Sequence, residues 1–173
     1  MAEIQGTQRC KERNRAVNDL RENCTEDNLW RCIIAFQEYP FYTISGLPFT
    51  YTLKTGRRGG LTKELFIDRR ENSKSLAWSS VKIAFERAIE SKDTVFSRPK
   101  EIADVRGVSY SYSLLWRFGV IKVPKKVENK LRGEGGSYAD KAGRSDDPHG
   151  GTGGCKGASC DLWPLCDKDG NYL

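Results

Sequence analysis

Apolar positions along the chain change period several times, and each change marks an expected element. After Thr25, the residues Leu29, Trp30, Ile33, Ile34 and Phe36 share one broad face of a helix over 26–38. Thr25 is its N-cap, and Glu26 and Asp27 complement the positive end of its dipole. The helix should stop near Tyr39, because Pro40 disfavours helical geometry in the residue before it. The period then shortens to two: Phe49, Tyr51 and Leu53 alternate with Thr50, Thr52 and Lys54. Strands are expected at 41–44, 49–54 and 63–68, joined through Gly46-Leu47-Pro48 and through 55–62. A helical period returns with Ala77, Val81, Ala84 and Ala88 beside Trp78, Phe85 and Ile89, predicting a helix over 75–91 that lies on the sheet. Thr94-Val95-Phe96 reads as a short edge strand.

From Ser97 to Ile121 the pattern is that of two short helices. Pro99 presets the first, covering 100–105, and Gly107 supplies a residue that takes positive φ between them. Ser109 is an N-cap for the second, in which Leu114, Leu115 and Phe118 keep an apolar rhythm until Gly119 ends it. The fold expected is α+β: a small antiparallel sheet of about three strands packed on two main helices, plus this short helical pair, in one domain over 26–125. Residues 1–25 are a polar arm in which only Ala16, Val17 and Leu20 can pack. They read as a solvated helix or as a basic arm along a phosphate backbone. Residues 126–173 hold ten of the seventeen glycines and read as a linker or tail.

The run Glu101-Ile102-Ala103-Asp104 followed by Gly107-Val108-Ser109 resembles the first helix and turn of bacterial helix-turn-helix DNA-binding proteins, in which a small Ala precedes the turn Gly by four residues. The resemblance covers about twenty residues and departs at Arg106, where an apolar residue is usual. It implies a second helix that offers Ser109, Tyr110, Ser111, Ser113 and Arg117 to DNA. The alternative is a plain helical corner in which Tyr110, Tyr112, Leu115, Trp116 and Phe118 pack the core.

Charge adds to that picture. The net charge is +6, and it sits in the middle: residues 1–25 carry five basic and four acidic side chains, 26–125 carry 17 and 11, and 126–173 carry seven and eight. A basic folded domain favours polyanions such as nucleic acid, DNA ahead of RNA. Gly56-Arg57-Arg58-Gly59-Gly60 is expected to be a hairpin tip carrying two guanidinium groups, with Arg69 and Arg70 extending the stripe after the next strand. A tip kept soluble by charge is the plainer alternative. No apolar run approaches the roughly 20 residues that span a bilayer. The start, MAEIQGTQRCKERNR, has no apolar signal region, so a cytoplasmic location with reduced cysteines is expected.

Near the end, His149, Cys155, Cys160 and Cys166 follow the order H-x5-C-x4-C-x5-C. Imidazole and thiolates are the ligands zinc prefers and four close a structural site, though the tight Cys-x2-Cys pair of ordinary zinc ribbons is missing. Zn is therefore a candidate cofactor, with a tail of reduced thiols as the alternative.

An enzyme is hard to build from these residues. The one histidine lies in the Gly-rich segment, and no nucleophile–base constellation is present. A metal-dependent nuclease using Asp68, Glu90 and Lys92 is a remote alternative. The reading that best fits the sequence is a small, non-catalytic nucleic-acid-binding accessory or regulatory protein. A protein-interaction adaptor or inhibitor, such as a mobile-element or phage accessory factor, is the second reading.

Overall fold

Residues 2–68 and 74–133 are described by a computed structural model. Along the chain they form α1 (Ala2–Glu22), α2 (Glu26–Ala35), β1 (Phe41–Tyr42), β2 (Pro48–Thr55), β3 (Leu61–Asp68), β4 (Lys74–Ala77), α3 (Trp78–Glu90), α4 (Val108–Arg117) and α5 (Lys125–Leu131). A single 3-10 turn, Pro99–Glu101, precedes α4.

The class is α+β, as the alternating periods predict. Among the described residues the sheet runs β1-β2-β3-β4, antiparallel throughout, four strands where about three were expected. The additional strand lies in residues read as the start of a helix. Leu76 pairs with Leu65 and is 2 % exposed, continuing the sheet's packed face, while Ala77, expected to head a helical row, is an exposed residue of the strand. The helix then begins at Trp78 and buries Trp78, Val81, Ala84, Phe85 and Ala88, the stripe its period predicts. Phe49, Tyr51, Leu53, Leu65, Ile67 and Leu76 all point to the core side. Thr50, Thr52, Lys54, Glu64, Phe66, Asp68, Ser75 and Ala77 occupy the alternate positions, on the opposite face.

Thr25 caps α2 as expected, accepting a hydrogen bond from the backbone N–H of Asn28 at 3.3 Å. The helix ends at Ala35 rather than near Tyr39, because the next residues turn to the sheet: Leu53 N–H donates to the Gln37 side chain at 2.9 Å, and Glu38 N–H to the Tyr51 carbonyl at 2.9 Å. β1 is likewise shorter than expected. From Thr43 the chain closes a turn, with Thr43 N–H on the Leu47 carbonyl and Leu47 N–H on Thr43 Oγ1.

The 1–25 segment is more than a solvated arm. Cys10, Ala16, Val17 and Leu20 of α1 are buried against α2, with Leu20 fully enclosed. The sequence hides this because Arg13, 2 % exposed, occupies a place on the same face. Its Nε donates to the Ala35 carbonyl at 3.0 Å and one Nη to the Gln37 carbonyl at 3.3 Å, using carbonyls that the end of α2 leaves unpaired. The boundary placed at 126 also moves, since α5 runs to Leu131, which is 4 % exposed. Cys10 is disulfide-bonded, which departs from the expectation of reduced thiols, whereas Cys24 and Cys32 are free. Among the described residues no helix is long and apolar enough to cross a membrane.

Candidate nucleic-acid interface

Two regions were expected to meet a polyanion: the hairpin tip and the second helix of the 97–121 pair. The fold treats them very differently.

The tip is a closed turn. Gly56 N–H donates to the Gly60 carbonyl at 2.8 Å and Gly59 N–H to the Gly56 carbonyl at 3.0 Å, which leaves Arg57 and Arg58 as the two central residues. Gly59 has φ +80°, a left-handed conformation that any side chain would strain. Both arginines are exposed, and among the described residues neither side chain makes a hydrogen bond or an ion pair. The ribbon below them adds Lys54 and Lys63. Lys54 has no carboxylate partner among the described residues, and its ammonium stands 3.8 Å from the Phe66 ring centroid. Lys63 lies 5.8 Å from both the Trp30 and Trp78 centroids and 4.0 Å from Glu26.

Helix α4 is the opposite case. Val108, Ser111, Tyr112, Ser113, Leu114 and Leu115 are all buried. Ser111 is fully enclosed, with its Oγ unpaired among the described residues. It does not face solvent, and the expectation that it touches a base is overturned. Tyr110 packs edge-on against Phe49 at 4.9 Å, and Ser109 gives its carbonyl to the Ser113 hydroxyl at 3.1 Å. Arg117 donates from Nε and Nη2 to Tyr39 Oη. Burial pushes the pKa of that guanidinium down, and the charges of Arg132 and Arg13 push it the same way.

The physical reason is position. Gly107 does take positive φ, +77°, but the helix before it is one 3-10 turn, too short to carry α4 away from the core. A Cβ on Gly107 would lie 2.5 Å from Leu76 Cδ1, so the turn is pressed directly against β4. The plain helical corner is what forms. Gly119, also at positive φ, closes α4: its N–H reaches the Trp116 carbonyl and Val120 N–H the Leu115 carbonyl, both at 2.9 Å.

Arg69 and Arg70 lie outside the described residues, as do His149, Cys155, Cys160 and Cys166. Among the described residues no group of three or more His, Cys, Asp or Glu side chains that could hold a metal ion comes together. An open cleft of about 480 Å³ lies between α3 and the 96–105 segment. Its lining carries Glu90, Glu101 and Asp104 against Arg87, an acidic balance unsuited to a polyanion. Glu101 is already engaged there, accepting from the backbone N–H groups of Ser97 and Arg98 at 2.7 and 3.2 Å.

One further cluster escaped the sequence reading. Glu26 accepts from Trp78 Nε1 at 2.9 Å and pairs with Lys82 at 2.8 Å, while Trp30 stands edge-on to Trp78 at 4.9 Å. It joins the start of α2 to the start of α3, residues 52 apart in sequence, and no local pattern announces it.

Neither a family model, nor a curated protein, nor a solved structure matches the chain.

Proposed function

We propose that the protein binds nucleic acid through the β2–β3 hairpin, as a non-catalytic accessory or regulatory protein. The observation that supports this reading is the pair Arg57 and Arg58, adjacent, exposed and without side-chain partners among the described residues, at the end of a two-stranded ribbon. Two like charges held side by side repel, and a row of phosphates is the partner that relieves them. Between residues 54 and 64 the ribbon carries Lys54, Arg57, Arg58 and Lys63 against Glu64 alone. Ribbon tips of this kind contact sugar–phosphate backbones and carry little sequence information by themselves.

The exposed large apolar side chains among the described residues, Ile34, Leu61, Ile83 and Val95, come from four different segments. They lend no support to an adaptor surface comparable to the basic tip. The test is a titration of labelled duplex and single-stranded oligonucleotides at about 50 mM salt, where phosphate-driven binding is strong. Binding that weakens on every probe when Arg57 and Arg58 are both replaced by Ala supports the reading. An intact protein with no affinity for any probe overturns it.

A further inference from the structure

The outer face of the sheet carries a second feature. Its positions are Thr50, Thr52, Lys54, Glu64, Phe66, Asp68, Ser75 and Ala77, all small, polar or charged except Phe66. Phe66 belongs neither to the core nor to the partly buried residues packed on it. Its cross-strand neighbours are Thr52 and Ser75, too small to cover a ring. Among the described residues, packing therefore gives no reason for an aromatic side chain in the middle of this face.

We propose that this face binds single-stranded nucleic acid, with one base stacked on the Phe66 ring and the Lys54 ammonium on the phosphate beside it. The proposal rests on the nucleic-acid reading of the hairpin and names the form of nucleic acid it takes. Three observations carry it. Lys54 covers the ring at 3.8 Å, about where a stacked base would sit. A long flexible amine that shields a half-buried ring moves aside readily, and in moving to a phosphate it exchanges one electrostatic partner for another. The hydroxyls of Thr50, Thr52 and Ser75 lie on the same face, able to donate to and accept from base edges. Finally, β2 leads from Thr52 through Lys54 to the arginine tip, about 17 Å at the rise of an extended strand. Glu64 and Asp68 flank Phe66 on β3 and repel phosphates, which directs the backbone along β2. A duplex keeps its base faces stacked on one another, so only a strand with free bases can use the ring.

The experiment is fluorescence anisotropy on labelled oligothymidylate, oligouridylate and a mixed-sequence duplex, with the full chain and four variants. Phe66→Leu keeps an apolar side chain and removes the aromatic face. It should weaken single-strand binding by about 10-fold or more and change duplex binding by less than about twofold. Phe66→Trp should restore the affinity, with its emission quenched by the bound strand. Ser75→Glu, at an exposed strand position, should weaken single-strand binding with the thermal midpoint unchanged, so the proposal stays testable even if Phe66→Leu fails to fold. Loss of binding in the Arg57→Ala/Arg58→Ala protein, together with parental single-strand affinity in Phe66→Leu and Ser75→Glu, overturns this proposal and leaves the hairpin reading intact. No binding by the parent to any probe overturns both.

Discussion

Arg117 and Tyr39, 78 residues apart, are joined by two hydrogen bonds, from Nε at 3.1 Å and from Nη2 at 2.8 Å to the phenolic oxygen. The guanidinium also stands over the tyrosine ring, 5.3 Å from its centroid. Arg117 thus ties the end of α4 to the turn after α2, which makes it a structural residue. Tyr39→Phe removes the acceptor and leaves a half-buried cation short of that partner. The expected cost is about 1–3 kcal/mol in urea denaturation, with nucleic-acid affinity unchanged. A variant as stable as the parent would contradict that role.

Trp78 is 6 % exposed, stacked edge-on with Trp30 and hydrogen-bonded to Glu26. Trp78→Ala should cost about 3–5 kcal/mol. A thermal midpoint indistinguishable from the parent's would remove it from the core.

The Glu26–Lys82 pair predicts a particular pH dependence. The hydrogen bond to Lys82, then that from Trp78, holds the Glu26 carboxyl below its ordinary value of 4.5. A depressed acid contributes stability above its unfolded pKa, and that contribution is lost as pH falls through the folded value. The Lys82 ammonium is raised above 10.5, chiefly by its hydrogen bond to Glu26, so its share is lost only as pH rises through the higher folded value. The difference in thermal midpoint between the parent and Glu26→Gln should be level near neutrality and shrink below pH 4.5. A difference that persists unchanged at about pH 3 would show that charge plays no part in it.

Cys32 is fully enclosed, donates to the Ala16 carbonyl at 3.2 Å, and has a pKa pushed up to about 12 by burial. The thiolate is the reactive species. Brief alkylation of the native protein followed by peptide mapping should find Cys24 modified and Cys32 untouched. Rapid labelling of Cys32 would mean that α1 does not stay docked on α2.

Much of the fold was legible because local and global signals agree in it. Thr25, the alternation from Phe49 to Lys54, the α3 stripe and the glycines at 107 and 119 each act where local chemistry predicts. What was hidden depends on distant partners. Arg13 reads as surface until the carbonyls of Ala35 and Gln37 are brought to it. β4 reads as helix because Ala77 heads a helical row next to that of Trp78, and only pairing with β3 shows that Ala77 still belongs to a strand. The candidate site divides the same way. Arg57 and Arg58 are flanked by glycines that force a turn, so their exposure follows from sequence, whereas the burial of Ser111 follows from Gly107 packing against Leu76.

The most direct test of the account is the salt dependence of binding to one single-stranded probe, measured from about 50 to 200 mM salt for the parent and for the Arg57→Ala/Arg58→Ala protein. Each phosphate contact on a single strand contributes about 0.7 to the slope of log affinity against log salt concentration. The parent should show a steep decline, and the double variant a slope shallower by about 1.4, with weaker binding at the lowest salt. Equal slopes for the two proteins would contradict the claim that the hairpin arginines hold the phosphates.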